Sequence, residues 1–255
     1  GSRFDEHKHS GNEEAHRATL AYLFDDKSTK LKSSYGTRFR FPSVYEIFYV
    51  DSKYDDLSRA ENSESFDIGI EKSFFNLGLD IDASYFNIKY YDVLEGWATS
   101  GWTTQNQTGT VKSQGFELIS KWKKSEILNF NLNYTYTSTY DGAEADDPNR
   151  NQAYTNNQMV RVPRNIINLT TNIKIPNYKN LDLTLNTKWS DNARDYGNGN
   201  RTWSDERLDD YLVNDLSIKY SLWDTYNLFF DINNILDEKY ETTRDYSQMD
   251  RSFNF

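Results

Sequence analysis

The most regular pattern of hydrophobic and polar residues lies at 128–137, where the sequence LNFNLNYTYT changes polarity at every position. Strict alternation predicts a β-strand, because successive side chains of a strand point to opposite faces. Six further segments alternate less perfectly: 18–24, 66–70, 79–85, 167–175, 181–189 and 226–233. We therefore predict an all-β protein whose strands carry one apolar face and one polar face.

The connections between these strands are of two kinds, which alternate along the chain. Short polar turns are predicted near 25–27, 76, 125–126, 176–179 and 222–225. Long polar connections are predicted at 40–64, 96–110, 140–160, 190–207 and 236–250. Antiparallel up-and-down hairpins with short turns at one end and long loops at the other are typical of transmembrane β-barrels. A propeller blade of about 40–50 residues would instead need four short strands where each unit here holds two long ones.

Strand length and aromatic positions favour a membrane barrel over a soluble sandwich. The alternating runs extend over about 10–13 residues, which suits a tilted membrane-spanning strand, whereas strands of soluble proteins average about 5–6 residues. Aromatic residues cluster near predicted strand ends, as at Phe74, Tyr136 and Tyr220, and such clusters form girdles at the membrane interfaces. Polar groups of the opposite face would be costly in a dry core, so we expect that face to line the barrel interior.

Composition narrows the classes of function. The chain has 255 residues, of which 36% are hydrophobic and 16% aromatic, and its mean hydropathy is -0.86. A net charge of -10 argues against nucleic acid as a partner. The absence of cysteine excludes disulfides and cysteine metal sites. No apolar run is long enough to predict a transmembrane helix.

Six segments carry motifs of one family, in the family's order. They are YGTRFRFPSVYEIFY (35–49), ESFDIGIE (64–71), NQTGTVKSQGFEL (106–118), VPRN (162–165), DINNILDEKYE (231–241) and RSFNF (251–255). Together these segments resemble the barrel of TonB-dependent receptors, most closely the cobalamin-receptor type. Each motif is weak alone, but six in order across nearly the whole chain make a specific signal.

The resemblance implies a barrel of about 22 strands with an N-terminal plug and an energy-coupling box. Eleven strands and part of a twelfth are predicted here, so residues 1–255 are expected to form the C-terminal portion of the barrel domain, with the plug absent. Gly1 and Ser2 are typical of a cloning remnant, which indicates an excised fragment.

The function implied by the resemblance is ligand-gated uptake of a large scarce nutrient, such as cobalamin or an iron–siderophore, across the outer membrane of a Gram-negative bacterium. The implied partners are outer-membrane lipid and lipopolysaccharide, the nutrient ligand, and the TonB–ExbB–ExbD energy-coupling complex acting through the missing plug. A passive outer-membrane porin or autotransporter-type barrel is the first alternative. A soluble β-rich carbohydrate-binding domain is the second.

Enzymatic and metal chemistry have little support in the sequence. Hydrolase, zinc-protease and nucleotide-binding motifs are missing, so we predict no catalytic residues and no cofactor. Two clusters are considered as metal ligands and lack the ligand spacing of known sites: the histidines His7, His9 and His16, and the acidic stretch Asp141, Glu144, Asp146 and Asp147. We predict that the chain is not an enzyme and holds no metal.

Ligand binding is expected on the long loops, where aromatic and cationic side chains would surround a wide barrel mouth. The candidate binding residues are Trp97, Trp102, Tyr154, Tyr196, Arg201, Trp203 and Tyr246.

Overall fold

Strands dominate the computed structural model, which describes residues 1–8, 10–43, 59–95, 105–106, 110–141, 158–175, 180–191, 193–196, 205–222 and 225–255. In chain order the strands are β1 (Ser2–His7), β2 (Gly11–Leu23), β3 (Thr29–Arg40), β4 (Glu61–Phe74), β5 (Leu79–Tyr91), β6 (Leu94–Glu95), β7 (Gln105–Asn106), β8 (Val111–Lys123), β9 (Leu128–Asp141), β10 (Asn165–Lys174), β11 (Leu181–Ser190), β12 (Arg194–Tyr196), β13 (Asp205–Arg207), β14 (Tyr211–Leu222), β15 (Tyr226–Asn233), β16 (Glu241–Thr243), β17 (Tyr246–Ser247) and β18 (Ser252–Asn254). A short 3-10 helix, Phe75–Leu77, follows β4. No helix in the described ranges is long and apolar enough to cross a membrane.

Twelve strands form one antiparallel sheet in the order β1-β2-β3-β4-β5-β8-β9-β10-β11-β14-β15-β18. Each strand pairs with the next one of the sheet along the chain, as in an up-and-down barrel wall. The sheet is open, with β1 and β18 at its edges. The pairs β6–β7, β12–β13 and β16–β17 form separate two-stranded ribbons within the predicted long connections.

The seven alternating segments are confirmed as strands of this sheet. The segment at 128–137 is the first part of β9, and the segment at 226–233 coincides with β15. The sequence after Ser2 was expected to be part of a strand, but the turn and pairing of the first hairpin, in which β1 pairs with residues 11–16 of β2, were not predicted. These residues read GNEEAH and show no apolar alternation, because the apolar stripe of β2 begins only after them.

The pairing register sorts the side chains of the sheet onto two chemically different faces, since directly paired residues point to the same side. One face is apolar and exposed: Ile68 is 40% exposed, Phe116 55% and Leu228 55%. Its members include Leu31, Ile68, Ile70, Ile81, Leu118, Leu132, Ile167, Leu169, Leu183, Leu185, Leu216, Ile218, Leu228 and Ile232. Among the described strands no second sheet packs on this face, whereas the apolar face of a soluble sandwich is covered by its partner sheet.

Aromatic rows border the apolar face at both ends. Near the short turns, Trp122 stacks on Phe130 with ring centroids 5.6 Å apart. Towards the long loops, Phe116 stacks on Tyr136 at the same separation of 5.6 Å. Phe116 and Trp122 are six residues apart on β8, and Phe66 and Phe74 are eight apart on β4. At about 3.3 Å per residue the rows are separated by about 20–26 Å along the strands, close to the apolar band of outer-membrane barrels.

The opposite face is lined by charged and amide side chains that bond across the strands. Thr170 Oγ1 donates to Asn186 Oδ1 at 2.8 Å, and Thr184 Oγ1 donates to Asn172 Oδ1 at 3.0 Å. Such groups would be left without partners in hydrocarbon, so this face lines the polar interior of the barrel wall.

An ion-pair network on the polar face crosses three strands. Lys32 Nζ of β3 lies 2.6 Å from Asp82 Oδ2 of β5 and 3.1 Å from Glu71 Oε1 of β4. Lys32 reaches Asp82 by passing over Gly69, where an added Cβ would lie 2.9 Å from Lys32 Cε. Gly69 therefore keeps open the path that lets one lysine tie β3 to β5.

A second set of polar contacts closes the short turn between β2 and β3. Asp26 Oδ1 accepts hydrogen bonds from the backbone N–H groups of Ser28 and Thr29, at 3.0 and 2.9 Å. Asp26 Oδ2 accepts from Lys72 Nζ at 2.8 Å and from the Thr29 hydroxyl at 2.7 Å. The Lys72 ammonium, the Thr29 hydroxyl and the Ser28 backbone N–H hold the pKa of the Asp26 carboxyl well below its usual range.

Asp26 is expected to make the stability of the barrel wall depend on pH. A carboxyl whose pKa is depressed by folding stabilises the fold fully above its unfolded pKa, about 3.9, and loses that contribution as pH falls through the folded pKa. The urea concentration at the unfolding midpoint in lipid should therefore decrease once the pH is lowered below about 4. Asp26→Asn should weaken this pH dependence, because asparagine keeps an acceptor for the turn but does not titrate. Asp25→Asn, in the same turn, is the matched control, and equal pH profiles for both variants would contradict the assignment.

Candidate functional site

The best-buried residues of the described chain lie at the long-loop end of the sheet, not between sheet layers. Apart from glycines and Pro42, the buried residues are Ala60, Val111, Gln158, Ser190, Ala193, Arg194, Asp195, Tyr211, Val213 and Asn234. All of them sit within strand ends or connections on the side where the long loops emerge. The packing within the described residues is therefore tightest at the end of the sheet from which the long connections leave.

Asp195 joins three of these connections. Its side chain is 1% exposed, and Oδ1 accepts a hydrogen bond from Arg161 Nε at 3.0 Å. Oδ2 accepts from the backbone N–H of Arg244 at 2.7 Å. A buried carboxylate is tolerated because these charge-assisted bonds replace water. We call the three joined segments, residues 158–164, 193–196 and 241–247, the loop platform.

Arg194 adds a second link within the loop platform. Its guanidinium donates to the carbonyl of Gln158 at 3.1 Å, and its own carbonyl accepts from the N–H of Arg161 at 2.7 Å. Arg161 has a positive φ of 61°, so the chain turns sharply where it enters the contact. The segment before β10 and the ribbon β12–β13 are thus joined by backbone as well as by side chains.

Asn234 organises the connection that follows β15. It adopts a φ of 51°, and its amide exchanges two hydrogen bonds with Glu238, Nδ2 to the carbonyl at 2.9 Å and N–H to Oδ1 at 2.8 Å. Three residues later, Asp237 Oδ1 accepts the N–H of Arg251 at 2.9 Å. That backbone bond, with the nearby cations Lys239 and Arg251, holds the pKa of the Asp237 carboxyl below its usual value. Asn234 and Asp237 of the DINNILDEKYE segment are therefore turn-forming residues.

Tyr240, in the same DINNILDEKYE segment, packs back onto the sheet. Its ring lies 4.4 Å from that of Tyr211, which is 8% exposed, and Lys188 Nζ lies 5.7 Å from the Tyr211 ring. Burial raises the pKa of the Tyr240 hydroxyl. Because Tyr211 and Lys188 belong to the polar face, the connection after β15 runs along the inner side of the wall.

Two of the seven candidate binding residues fall within the described chain. Tyr196 is the last residue of β12, and Tyr246 begins β17 and is 70% exposed. The bond between Asp195 and Arg244 brings the segments that carry them together. The other candidates, Trp97, Trp102, Tyr154, Arg201 and Trp203, lie outside the described residues and remain predictions.

The residues that fix this geometry were missed or only partly found from the sequence. Asn234, Asp237 and Tyr240 belong to the recognised DINNILDEKYE segment, so a motif pointed to them without giving their roles. No sequence motif pointed to Asp195 or Arg161, because Asp195 contacts Arg161 across 34 residues and Arg244 across 49 residues of the chain.

The histidines considered as metal ligands lie apart. His7 accepts the N–H of Ser10 at its Nδ1 and stacks on Phe41. His16 lies on the other face of the hairpin, with Nδ1 3.0 Å from the Ser2 hydroxyl. Among the described residues no group of three or more His, Asp and Glu is placed to hold a metal ion. His9 and residues 142–150 are outside the described ranges.

Comparison with known proteins identifies the family. The TonB dependent receptor-like β-barrel family matches residues 1–235. The chain therefore belongs to the β-barrel family of TonB-dependent receptors, as the six sequence motifs had indicated.

Individual relatives agree with this assignment. The chain is 21% identical over 254 residues to the vitamin B12 transporter BtuB of Vibrio cholerae, covering 98% of this chain and 38% of that protein. The ferripyoverdine receptor of the Pseudomonas aeruginosa outer membrane superposes with a TM-score of 0.73 at 17% identity, over 96% of this chain and 32% of that one. The siderophore receptor PiuA of Acinetobacter baumannii gives a TM-score of 0.72 at 18% identity, over 95% and 34%.

The coverage shows how much of a receptor is present. The chain spans 38% of the length of the curated relatives and about a third of the solved receptors. The names of these relatives describe a transporter and receptors.

Proposed function

We propose that the chain forms part of the barrel wall of a ligand-gated receptor in the outer membrane of a Gram-negative bacterium. The proposed cargo is a large scarce nutrient, cobalamin or an iron–siderophore. The observation that carries the proposal is the loop platform: a charge and backbone network that joins the described parts of three long connections at one end of the sheet. A mouth held in this way is preorganised for capture, which reduces the ordering cost of binding.

The two faces of the sheet give the wall its proposed roles. The apolar face, bordered by aromatic rows, would contact outer-membrane lipid and, above the rows, lipopolysaccharide. The polar face would surround a plug contributed by another part of the receptor. Transport would then require the TonB–ExbB–ExbD complex to act on that plug, because the wall itself offers no described energy-coupling element.

The proposed capture site consists of aromatic and cationic side chains on the long loops. Two of these residues lie in the described chain. Tyr246 is exposed on the loop platform, and Tyr196 is the last residue of β12. Trp97, Trp102, Tyr154, Arg201 and Trp203 complete the proposal. Large, rigid aromatic side chains supply contact area at small entropic cost, which suits recognition of a bulky ligand.

Ligand binding by the complete gene product tests this proposal. Purified in detergent, it is expected to bind cobalamin or a ferric siderophore, and Tyr246→Ala should weaken that binding about tenfold, or ~1.4 kcal/mol, through lost aromatic contact. Tyr226→Ala is the matched control, since Tyr226 is a 63% exposed aromatic at the short-turn end. Failure to bind any member of either ligand class, together with passive diffusion of small solutes through reconstituted protein, would favour the porin alternative.

A further inference from the structure

A cavity of about 310 Å³ opens between β1, β2 and β3. Its lining includes three arginines, Arg3, Arg17 and Arg38, together with the hydroxyl-bearing Ser34 and Ser65, and Gly1 and Ser2, which are typical of a cloning remnant, border it at the start of β1. Arg17 is opposite Gly36 in the register, and Arg38 follows two residues later on β3. Gly36, Arg38 and Ser34 alternate with the apolar residues of β3, so the cavity opens on the polar face.

Two of these arginines lack a partner within the described chain. Arg3 is satisfied by a two-point ion pair with Asp5, and Arg40, further along β3, pairs with Glu61. For Arg17 and Arg38 the described residues provide no carboxylate within 4.0 Å and no side-chain hydrogen bond. Unpartnered cations stand out in a chain with 39 acidic and 29 basic residues.

Gly36 leaves room for the Arg17 side chain beside the cavity. It is buried, and a Cβ at this position would lie 3.2 Å from the carbonyl oxygen of His16 and 3.6 Å from Arg17 Cγ. The first carbons of the Arg17 side chain therefore lie against the glycine, where any larger residue would crowd them. Ser65, which also lines the cavity, donates a hydrogen bond from its hydroxyl to the Gly36 carbonyl oxygen at 3.4 Å.

Arg17 and Arg38 are diagonal neighbours on adjacent strands and both are exposed, so an anion from solution can reach either guanidinium. The guanidinium fork matches the planar geometry of carboxylate and phosphate oxygens and binds them with paired hydrogen bonds. We propose that Arg17 and Arg38 form an oxyanion site on the inner face of the barrel wall, which takes one carboxylate or phosphate group of a small ligand. The cavity volume suits a single acidic group or small acid rather than an entire nutrient chelate.

The proposal rests on the proposed function only in placing this face towards the barrel interior. The site itself is defined by Arg17, Arg38 and the glycine between them. Arg3 contributes as a paired neighbour, since its guanidinium already engages Asp5 and lies 5.1 Å from the Phe39 ring.

Titration of the complete gene product in detergent with inorganic phosphate and with citrate tests the site, because the two probes separate phosphate from carboxylate recognition. We expect saturable binding of at least one probe that weakens as chloride rises. The double variant Arg17→Gln/Arg38→Gln should bind the anion at least tenfold more weakly than wild type. The double lysine variant keeps both charges but loses the guanidinium fork, so its affinity should lie between those of wild type and the glutamine variant.

Lys30→Gln is the matched control, since it removes a cation from the same strand and face but leaves the cavity lining intact. Circular dichroism and heat-modified gel migration establish that each variant is folded. Binding that is equal in wild type and double glutamine variant, or absent for both probes at concentrations on the order of tens of millimolar, would overturn the oxyanion site. Loss of nutrient binding with anion binding retained would instead overturn the proposed function and leave this site standing.

Discussion

Replacing Gly115 with valine is expected to prevent stable assembly of the barrel wall. Gly115 of β8 pairs with Thr137 of β9, and a Cβ at position 115 would lie 1.8 Å from the carbonyl oxygen of Tyr136. It would also lie 2.9 Å from Cζ of Phe86, whose ring covers the glycine from β5. The obstruction on one side is backbone, so it cannot be relieved by a rotamer change. Strands β8 and β9 would have to separate in the middle of the sheet.

The expected size of this effect follows from the contacts that separation would break. Overpacking a tight site costs about 1–3 kcal/mol, and several ladder hydrogen bonds at about 1 kcal/mol each would be lost with it. Gly115→Ala should therefore lower the free energy of unfolding by about 3 kcal/mol, and Gly115→Val should leave little folded protein in the membrane. Heat-modified gel migration and urea unfolding in lipid measure both outcomes.

Ser113→Val provides the control for Gly115. It adds a β-branched side chain two residues away, on the same strand and the same face. The control should fold normally, because valine suits a strand position that already carries a side chain. A Gly115→Val protein as stable as this control would show that the close approach of β8 and β9 at Tyr136 is not a constraint on the fold.

Removing the Asp195 carboxylate is expected to release the loop platform while the sheet stays folded. Asp195→Ala would remove the buried carboxylate that accepts hydrogen bonds from Arg161 Nε and from the Arg244 N–H. The Arg161 side chain is 47% exposed, so water can solvate its guanidinium in the variant, and the larger loss is the buried acceptor of the Arg244 N–H, about 1–3 kcal/mol. Hydrogen exchange should therefore accelerate about tenfold or more in residues 158–164 and 241–247, and nutrient binding should weaken with it.

Asp209→Asn is the matched control for Asp195, because it changes an exposed aspartate in the same connection. Asp195→Asn separates the two roles of the carboxylate: it keeps an acceptor for Arg244 but removes the charge that pairs with Arg161. We expect partial loosening, greatest at 158–164. Unchanged exchange in both platform segments of Asp195→Ala would contradict the role given to this residue.

The sheet could be predicted from sequence wherever membrane and interior impose opposite polarity on alternate residues. β9 and β15 were predicted for this reason, since each residue of an alternating run has only one compatible face. The β1–β2 hairpin could not be predicted in the same way. Its residues Glu13, Glu14 and His16 lie beyond the apolar stripe, so both faces are polar and the period-two signal vanishes.

The candidate site was predictable only in part, for a different physical reason. An exposed aromatic on a long connection, such as Tyr246, can be proposed from residue type alone. Asp195 cannot, because its importance arises from burial and from partners that come together only when β10, β12 and β16 are in place. The motif containing Asn234 and Tyr240 was visible, but its turn geometry required coordinates.

The two aromatic rows have a consequence for where this wall can reside. The rows are about 20–26 Å apart along strands that tilt by roughly 35–45° in barrels of this type, so their separation along the membrane normal is shorter than the roughly 30 Å hydrocarbon core of an average bilayer. A thicker membrane would force acyl chains against the polar residues beyond Phe66 and Phe116, at a cost of fractions of a kcal/mol per ångström of mismatch. The spacing of tyrosine, phenylalanine and tryptophan along each strand therefore favours insertion of such a wall into thin bilayers over thick ones.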